Sequence, residues 1–127
     1  MEIETLDKHI LVAESEEIMR EFTMDSLKCV GFKNVYGIGN GLHALQELSK
    51  KHYDLLITAT TIPGLKGYEI IRGYKANPNH NGTRFIGMGA GIDQETRDTY
   101  ARLDVPFIQK PFRQKELLYL VNQVLNQ

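Results

Sequence analysis

Disulfides, membrane spans and an excess of one charge are all missing from this chain of 127 residues. The one cysteine, Cys29, has no partner for an intrachain bridge, which points to a reducing compartment. It lies in the run Leu27-Lys28-Cys29-Val30 and is expected as a buried structural thiol. No apolar stretch approaches the roughly 20 residues that cross a bilayer. The start, Met1-Glu2-Ile3-Glu4, is acidic and lacks an apolar leader core, so a cytoplasmic location is expected. Fifteen basic residues against 16 acidic ones leave a net charge of −1. The most basic stretch, Arg72 to Arg84, is broken by Asn, Pro and Gly and reads as a solvated helix end and loop. Nucleic acid and membrane surfaces are therefore excluded as partners of this domain. His9, His43, His52 and His80 are scattered, with no spacing that makes a metal site.

What is present is a repeating alternation. Apolar runs of a few residues give way to longer segments of helical period, five times over. His9 to Glu14 is a continuous apolar run ending in an acid, as in a strand covered on both faces. Ser15 is a candidate cap for the helix that follows. That helix is expected to bury Ile18, Met19, Phe22, Ser26, Cys29 and Val30 and to stop at Gly31. Val35 to Ile38, Tyr53 to Thr58, Arg84 to Gly89 and Val105 to Gln109 are the further strands. Between and after them come four more helices. Asn40 caps one carrying Leu42, Leu45 and Leu48, and Ile70, Ile71 and Tyr74 mark the next. Gln94 to Leu103 has a thin apolar face, whereas Leu117, Leu120, Val121, Val124 and Leu125 make the last helix strongly amphipathic. The expectation is one α/β domain over residues 1–127, a doubly wound, five-stranded parallel sheet with five helices. Residue 127 closes the fifth helix, so the domain is expected complete, whether free-standing or part of a longer chain.

In such a sheet the site lies beyond the carboxyl ends of the strands. The residues delivered there are Glu14 and Ser15, Ala59 and Thr60, Gly89 and Ala90, and Lys110 before Pro111. One carboxylate, one ammonium and a few hydroxyls are a poor set for catalysis.

From about residue 9 to 126 the chain resembles the receiver domain of bacterial two-component response regulators. The pieces that carry the likeness are "ILVAES", "GNGLHAL", "YDLLITATTIPGLKGYEII" and "FIQKPF" at 107–112. The resemblance implies a flavodoxin-like strand order, 2-1-3-4-5, and a cis bond at Lys110-Pro111. It also implies an acidic Mg²⁺-binding pair, an aspartate that accepts a phosphoryl group from a histidine kinase, a hydroxyl ending strand four, a lysine and a mobile aromatic ring. Carried across by position, these fall on Glu14 and Ser15, Ala59, Gly89, Lys110 and Phe107. Only the lysine and an aromatic ring keep their chemistry. The expectation is an atypical receiver, a pseudo-receiver that has lost the phosphoacceptor, with no catalytic residue, no metal and no cofactor.

Without a phosphoryl group, Lys110 is expected to pair with Glu14, because a buried ammonium lacking a partner is costly; the alternative is that it reaches solvent. Phe107 reads either as an ordinary core aromatic or as a ring fixed in one rotamer, so that the output face has one state. The resemblance places that face on the fourth helix, fifth strand and fifth helix, here carrying Tyr100, Arg102, Gln109, Arg113 and Tyr119. The partner stays open between a histidine kinase, an output domain and a second copy of the chain.

Two rival readings remain. A neighbouring threonine could accept the phosphoryl group, but alternation turns Thr58 to the opposite face, and Thr60 and Thr61 are alcohols without an adjacent base. Alternatively the chain senses a small ligand or nucleotide through "GIGNG" at 37–41 or "GMGAG" at 87–91. Neither run completes Gly-x-Gly-x-x-Gly, and turns or close backbone approach account for both.

Overall fold

The computed structural model describes residues 3–127. Met1 and Glu2, read above as part of a leaderless acidic start, lie outside the described residues. A single helical turn, α1 (Ile3–Leu6), comes first, and five strand–helix units follow. These are β1 (His9–Ala13) with α2 (Glu17–Cys29), β2 (Asn34–Ile38) with α3 (Gly41–Lys50), and β3 (Leu55–Ala59) with α4 (Gly67–Ala76). Then come β4 (Arg84–Gly89) with α5 (Gln94–Arg102), and β5 (Phe107–Gln109) with α6 (Gln114–Leu125). All pairings are parallel, as expected from the alternation, and the order is β2-β1-β3-β4-β5, the order the resemblance implies. The output face expected on the fourth and fifth helices therefore belongs to α5, β5 and α6.

The continuous apolar runs become central strands because helices cover both sides of the sheet. All five residues of β3 are buried. On one side Ile10, Val12, Leu55, Ile57, Ile86 and Met88 meet Leu27 of α2 and Leu117, Val121 and Val124 of α6. On the other side Leu11, Leu56 and Phe85 meet α3, α4 and α5 through Leu48, Ile70, Ile71, Tyr74 and Tyr100. Each fully buried aliphatic side chain contributes about 1.5–3 kcal/mol by leaving water.

Several expectations about α2 fail together. Ser15 is not its cap: the helix starts at Glu17 behind Glu16, and Ser15 is exposed. The buried face is Thr23, Ser26 and Leu27, while Ile18, Phe22 and Val30 are exposed. Thr23 and Ser26 can face the core because their hydroxyls donate back to the carbonyls of Met19 (2.8 Å) and Phe22 (2.7 Å). Cys29 is exposed, not a buried thiol, since it lies on the side away from the sheet. In α3, Asn40 caps as expected by accepting from the His43 amide at 3.1 Å, but Leu42 is exposed and only Leu48 of the three leucines is buried. Gly31 does end the α2 region, at φ 108°, with its N–H donating to the Lys28 carbonyl. Among the described residues no helix is long and apolar enough to cross a membrane.

Candidate functional site

The parallel register brings the ends of four strands to one rim. Ala13 lies beside Thr58, Ala59 beside Met88, and Gly89 beside Gln109, so Glu14, Ala59, Gly89 and Lys110 gather at the carboxyl edge. The peptide bond from Lys110 to Pro111 is cis.

Glu14 is 1% exposed, and both carboxylate oxygens are engaged. Its Oε1 accepts from the Lys110 ammonium, while Oε2 accepts the Glu16 N–H at 3.2 Å, tying the start of α2 to the rim. The side chain of Lys110 is 15% exposed, so the ammonium turns inward to the acid and does not snorkel to solvent. Arg20, which sequence reasoning passed over, donates to the Glu14 carbonyl at 2.9 Å and braces the same loop.

The middle of the rim holds little chemistry. Ala59 is 1% exposed and offers a methyl group. Thr58 is fully buried, its hydroxyl donating to the Ala59 carbonyl at 3.0 Å. Gly89 is buried under Thr60: a Cβ built on it would lie 2.6 Å from Thr60 Oγ1 and 3.4 Å from the Phe107 ring. A side chain carrying a hydroxyl at 89 therefore requires Thr60 to move. Octahedral Mg²⁺ asks for carboxylate oxygens free to bind it. Here one carboxylate is committed twice, its neighbour Ser15 is exposed, and Ala59 has no side-chain oxygen, so the residues present do not fit that ion. Among the described residues no group of three or more His, Cys, Asp and Glu is placed to hold a metal.

Beside this rim, Phe107 packs against Tyr100, ring centroids 5.5 Å apart and planes at 66°. Tyr100 was expected on the output surface; it is instead 1% exposed, turned beneath Phe107. Two glycines make the room. A Cβ on Gly87 would stand 2.7 Å from the Tyr100 ring and 2.9 Å from Phe107, and one on Gly67 would stand 2.3 Å from the Tyr100 hydroxyl. That hydroxyl is buried with no hydrogen-bond partner among the described residues. Burial, with Tyr68 adding to it, pushes the phenol well above its usual range. Helix α5 buries only Thr99 and Tyr100, so its attachment depends heavily on this one ring. The remaining face residues, Arg102, Gln109, Arg113 and Tyr119, are exposed, and Arg97 donates to Gln109 at 3.2 Å.

Both glycine runs serve close packing. Gly87 and Gly89 face Tyr100, Phe107 and Thr60, and a Cβ on Gly41 would meet the Leu65 backbone at 2.2 Å.

A parallel order of 2-1-3-4-5 with an acid after β1 and Lys-cis-Pro after β5 defines a CheY-type signalling fold. The family model of the response regulator receiver domain matches residues 10–122, and the chain belongs to that family. It is 28% identical to the response regulator receiver protein CpdR of Brucella abortus, over 93% of this chain and 97% of that protein. It is 27% identical to the chemotaxis protein CheY-3 of Vibrio cholerae, over 81% of this chain and 80% of that one. It is also 27% identical to the probable transcriptional regulator ycf29 of Pyropia yezoensis, over 91% of this chain, but spans only 52% of that relative's length. Among solved structures, the receiver domain of the Pseudomonas aeruginosa sensor histidine kinase PA1611, which holds a magnesium ion in its active-site cleft, superposes with a TM-score of 0.85. Identity there is 21%, with 95% of this chain and 99% of that one covered. The chemotaxis response regulator CheY4 of Vibrio cholerae gives a TM-score of 0.83 at 18% identity, covering 93% and 98%. The chain is thus a receiver domain of the two-component signalling type.

Proposed function

We propose that this receiver is a pseudo-receiver: it takes no phosphoryl group at the end of β3, has no catalytic step, and signals through protein–protein contacts on the face of α5, β5 and α6. One observation carries this reading. Where the family's acceptor falls there is the methyl of Ala59, and the lysine that would hold the phosphoryl oxygens is already paired with Glu14. A methyl cannot attack phosphorus, and an alcohol without a base is a weak substitute. Thr60 stands over Gly89, and Thr58 is buried. With no phosphoryl event to move it, Phe107 stays against Tyr100 and the face keeps a single shape, changed only by a partner that binds it. A protein partner in the cytoplasm suits this reading: a histidine kinase, an output domain or a second copy.

The test is incubation with acetyl phosphate, or beryllofluoride, and Mg²⁺, followed by backbone NMR at Ala59, Gly89 and Lys110. Unchanged shifts are expected, with no phosphoryl adduct by mass spectrometry. An Mg²⁺-dependent adduct on Thr60 or Thr61 would overturn the proposal.

A further inference from the structure

On the far side of the molecule, at the amino-terminal edge of the sheet, two clefts join. One, of about 240 Å³, lies between the end of α3 and the loop after α4; the other, of about 230 Å³, runs along α3 and α4. They share Ser49, Tyr74 and Asn77 as walls, so they form one groove with two unlike ends. Together they reach the size of small-molecule sites, roughly 300–1,000 Å³.

The inner end is apolar. Leu42 and Leu45 line it, and Gly73 opposite has no side chain to fill it; a Cβ there would press to 2.8 Å from Leu45. The outer end is basic: Lys50, Lys51, His52 and His80 line it, and among the described residues no carboxylate does. A helix dipole accounts for cations at the end of α3. It does not account for the facing wall, which comes from another segment and is built rather than loose. Tyr74 Oη accepts the N–H groups of Asn81 (2.6 Å) and Thr83 (3.1 Å), and His80 packs on the Tyr74 ring at 5.8 Å. His52 is held by Asp54 at 3.0 Å, and Lys51 stands 4.0 Å over the Tyr36 ring; Lys50 has no carboxylate partner among the described residues.

We infer that this groove binds a small organic anion, an apolar body of aryl or short acyl size bearing one phosphate or carboxylate. The apolar part lies against Leu42, Leu45 and Gly73, and the anionic group is held by Lys50 and His80. Apolar burial supplies the affinity, and the Lys50 ammonium with the His80 ring N–H the orientation. The site is remote from the Glu14–Lys110 rim, and the inference stands whether or not Ala59 has ended phosphorylation.

The experiment is an NMR titration of the whole chain with 1-naphthyl phosphate, beside 1-naphthol and inorganic phosphate. Saturable shifts are expected at Ser49, Lys50, Gly73, Asn79 and His80, with each half-probe weaker by about tenfold or more. Lys50→Glu combined with His80→Ala, and separately Leu42→Asn, should each weaken the naphthyl phosphate by about tenfold. All three positions are exposed, so unchanged spectra elsewhere will show that the fold is intact. Absence of saturation, a half-probe binding as tightly as the whole, shifts centred on the Glu14–Lys110 rim, or variants without effect would each overturn the inference.

Discussion

The Tyr100 ring stands edge-on to Phe107 at 5.5 Å, and its buried hydroxyl finds no hydrogen-bond partner among the described residues. The ring therefore stabilises the fold while its oxygen opposes it. Removing only the oxygen should help: Tyr100→Phe is expected to raise stability by about 1 kcal/mol, because an unsatisfied buried hydroxyl carries a desolvation cost. Tyr100→Ala should lose about 3–5 kcal/mol, as for other buried aromatics. Urea denaturation of the two variants decides it, and a destabilised Tyr100→Phe would mean that the hydroxyl has a partner after all.

Alkaline pH should expose the same buried phenols. Tyr100 is raised by burial first and by Tyr68 second; Tyr53 is raised by burial first, then by donating its hydroxyl to Glu47 at 2.8 Å. In the folded chain both hold their protons above the ordinary phenol value of about 10. The unfolded chain then binds fewer protons than the folded one, so stability falls as pH rises past that value. Their contribution is fully present below pH ~10 and lost above it. Melting temperature followed from neutral pH into the alkaline range should drop there, and Tyr100→Phe should flatten the drop.

The buried pair at the rim predicts an asymmetry. Lys110→Met leaves the Glu14 carboxylate buried without its cation and should cost about 3–5 kcal/mol. Adding Glu14→Gln removes the stranded charge and keeps an acceptor for the Glu16 N–H, so most of that loss should return. A double variant no more stable than Lys110→Met in urea unfolding would show that the pair is not what holds this rim.

Much of the fold was legible because parallel strands buried on both faces are written as unbroken apolar runs; β4 begins and ends where the sequence pattern places it, at Arg84 and Gly89. The Glu14–Lys110 contact was legible by elimination, since one acid and one ammonium reach the rim. The face of α2 was not. An apolar pattern cannot see that Thr23 and Ser26 satisfy their own hydroxyls and turn inward, leaving Ile18 outside. Nor could it see Tyr100 go under Phe107, because the space for that ring is made by Gly67 and Gly87, 33 and 13 residues away in sequence. Thr60 over Gly89 is likewise a product of strand register, invisible until β3 and β4 are paired.

Those contacts set what it takes to build a phosphoryl-accepting site at this rim. Ala59→Asp alone puts a second carboxylate into a buried rim whose single ammonium already serves Glu14, so it should cost about 1–3 kcal/mol and give no labelling by acetyl phosphate. Adding Ser15→Asp supplies a further oxygen donor at an exposed position and should cost little. The strand-four hydroxyl is harder. Gly89→Thr collides with Thr60 Oγ1, so it should be strongly destabilising by itself and tolerated only with Thr60→Ala, which clears the 2.6 Å contact. Phosphoryl labelling, read by intact-mass spectrometry with and without Mg²⁺, should appear first when Asp stands at both 15 and 59, and rise when the hydroxyl joins them. Labelling of Ala59→Asp by itself would mean that Glu14 can release Lys110 to an incoming phosphoryl group, and that a carboxylate at 59 is all this rim needs to accept one.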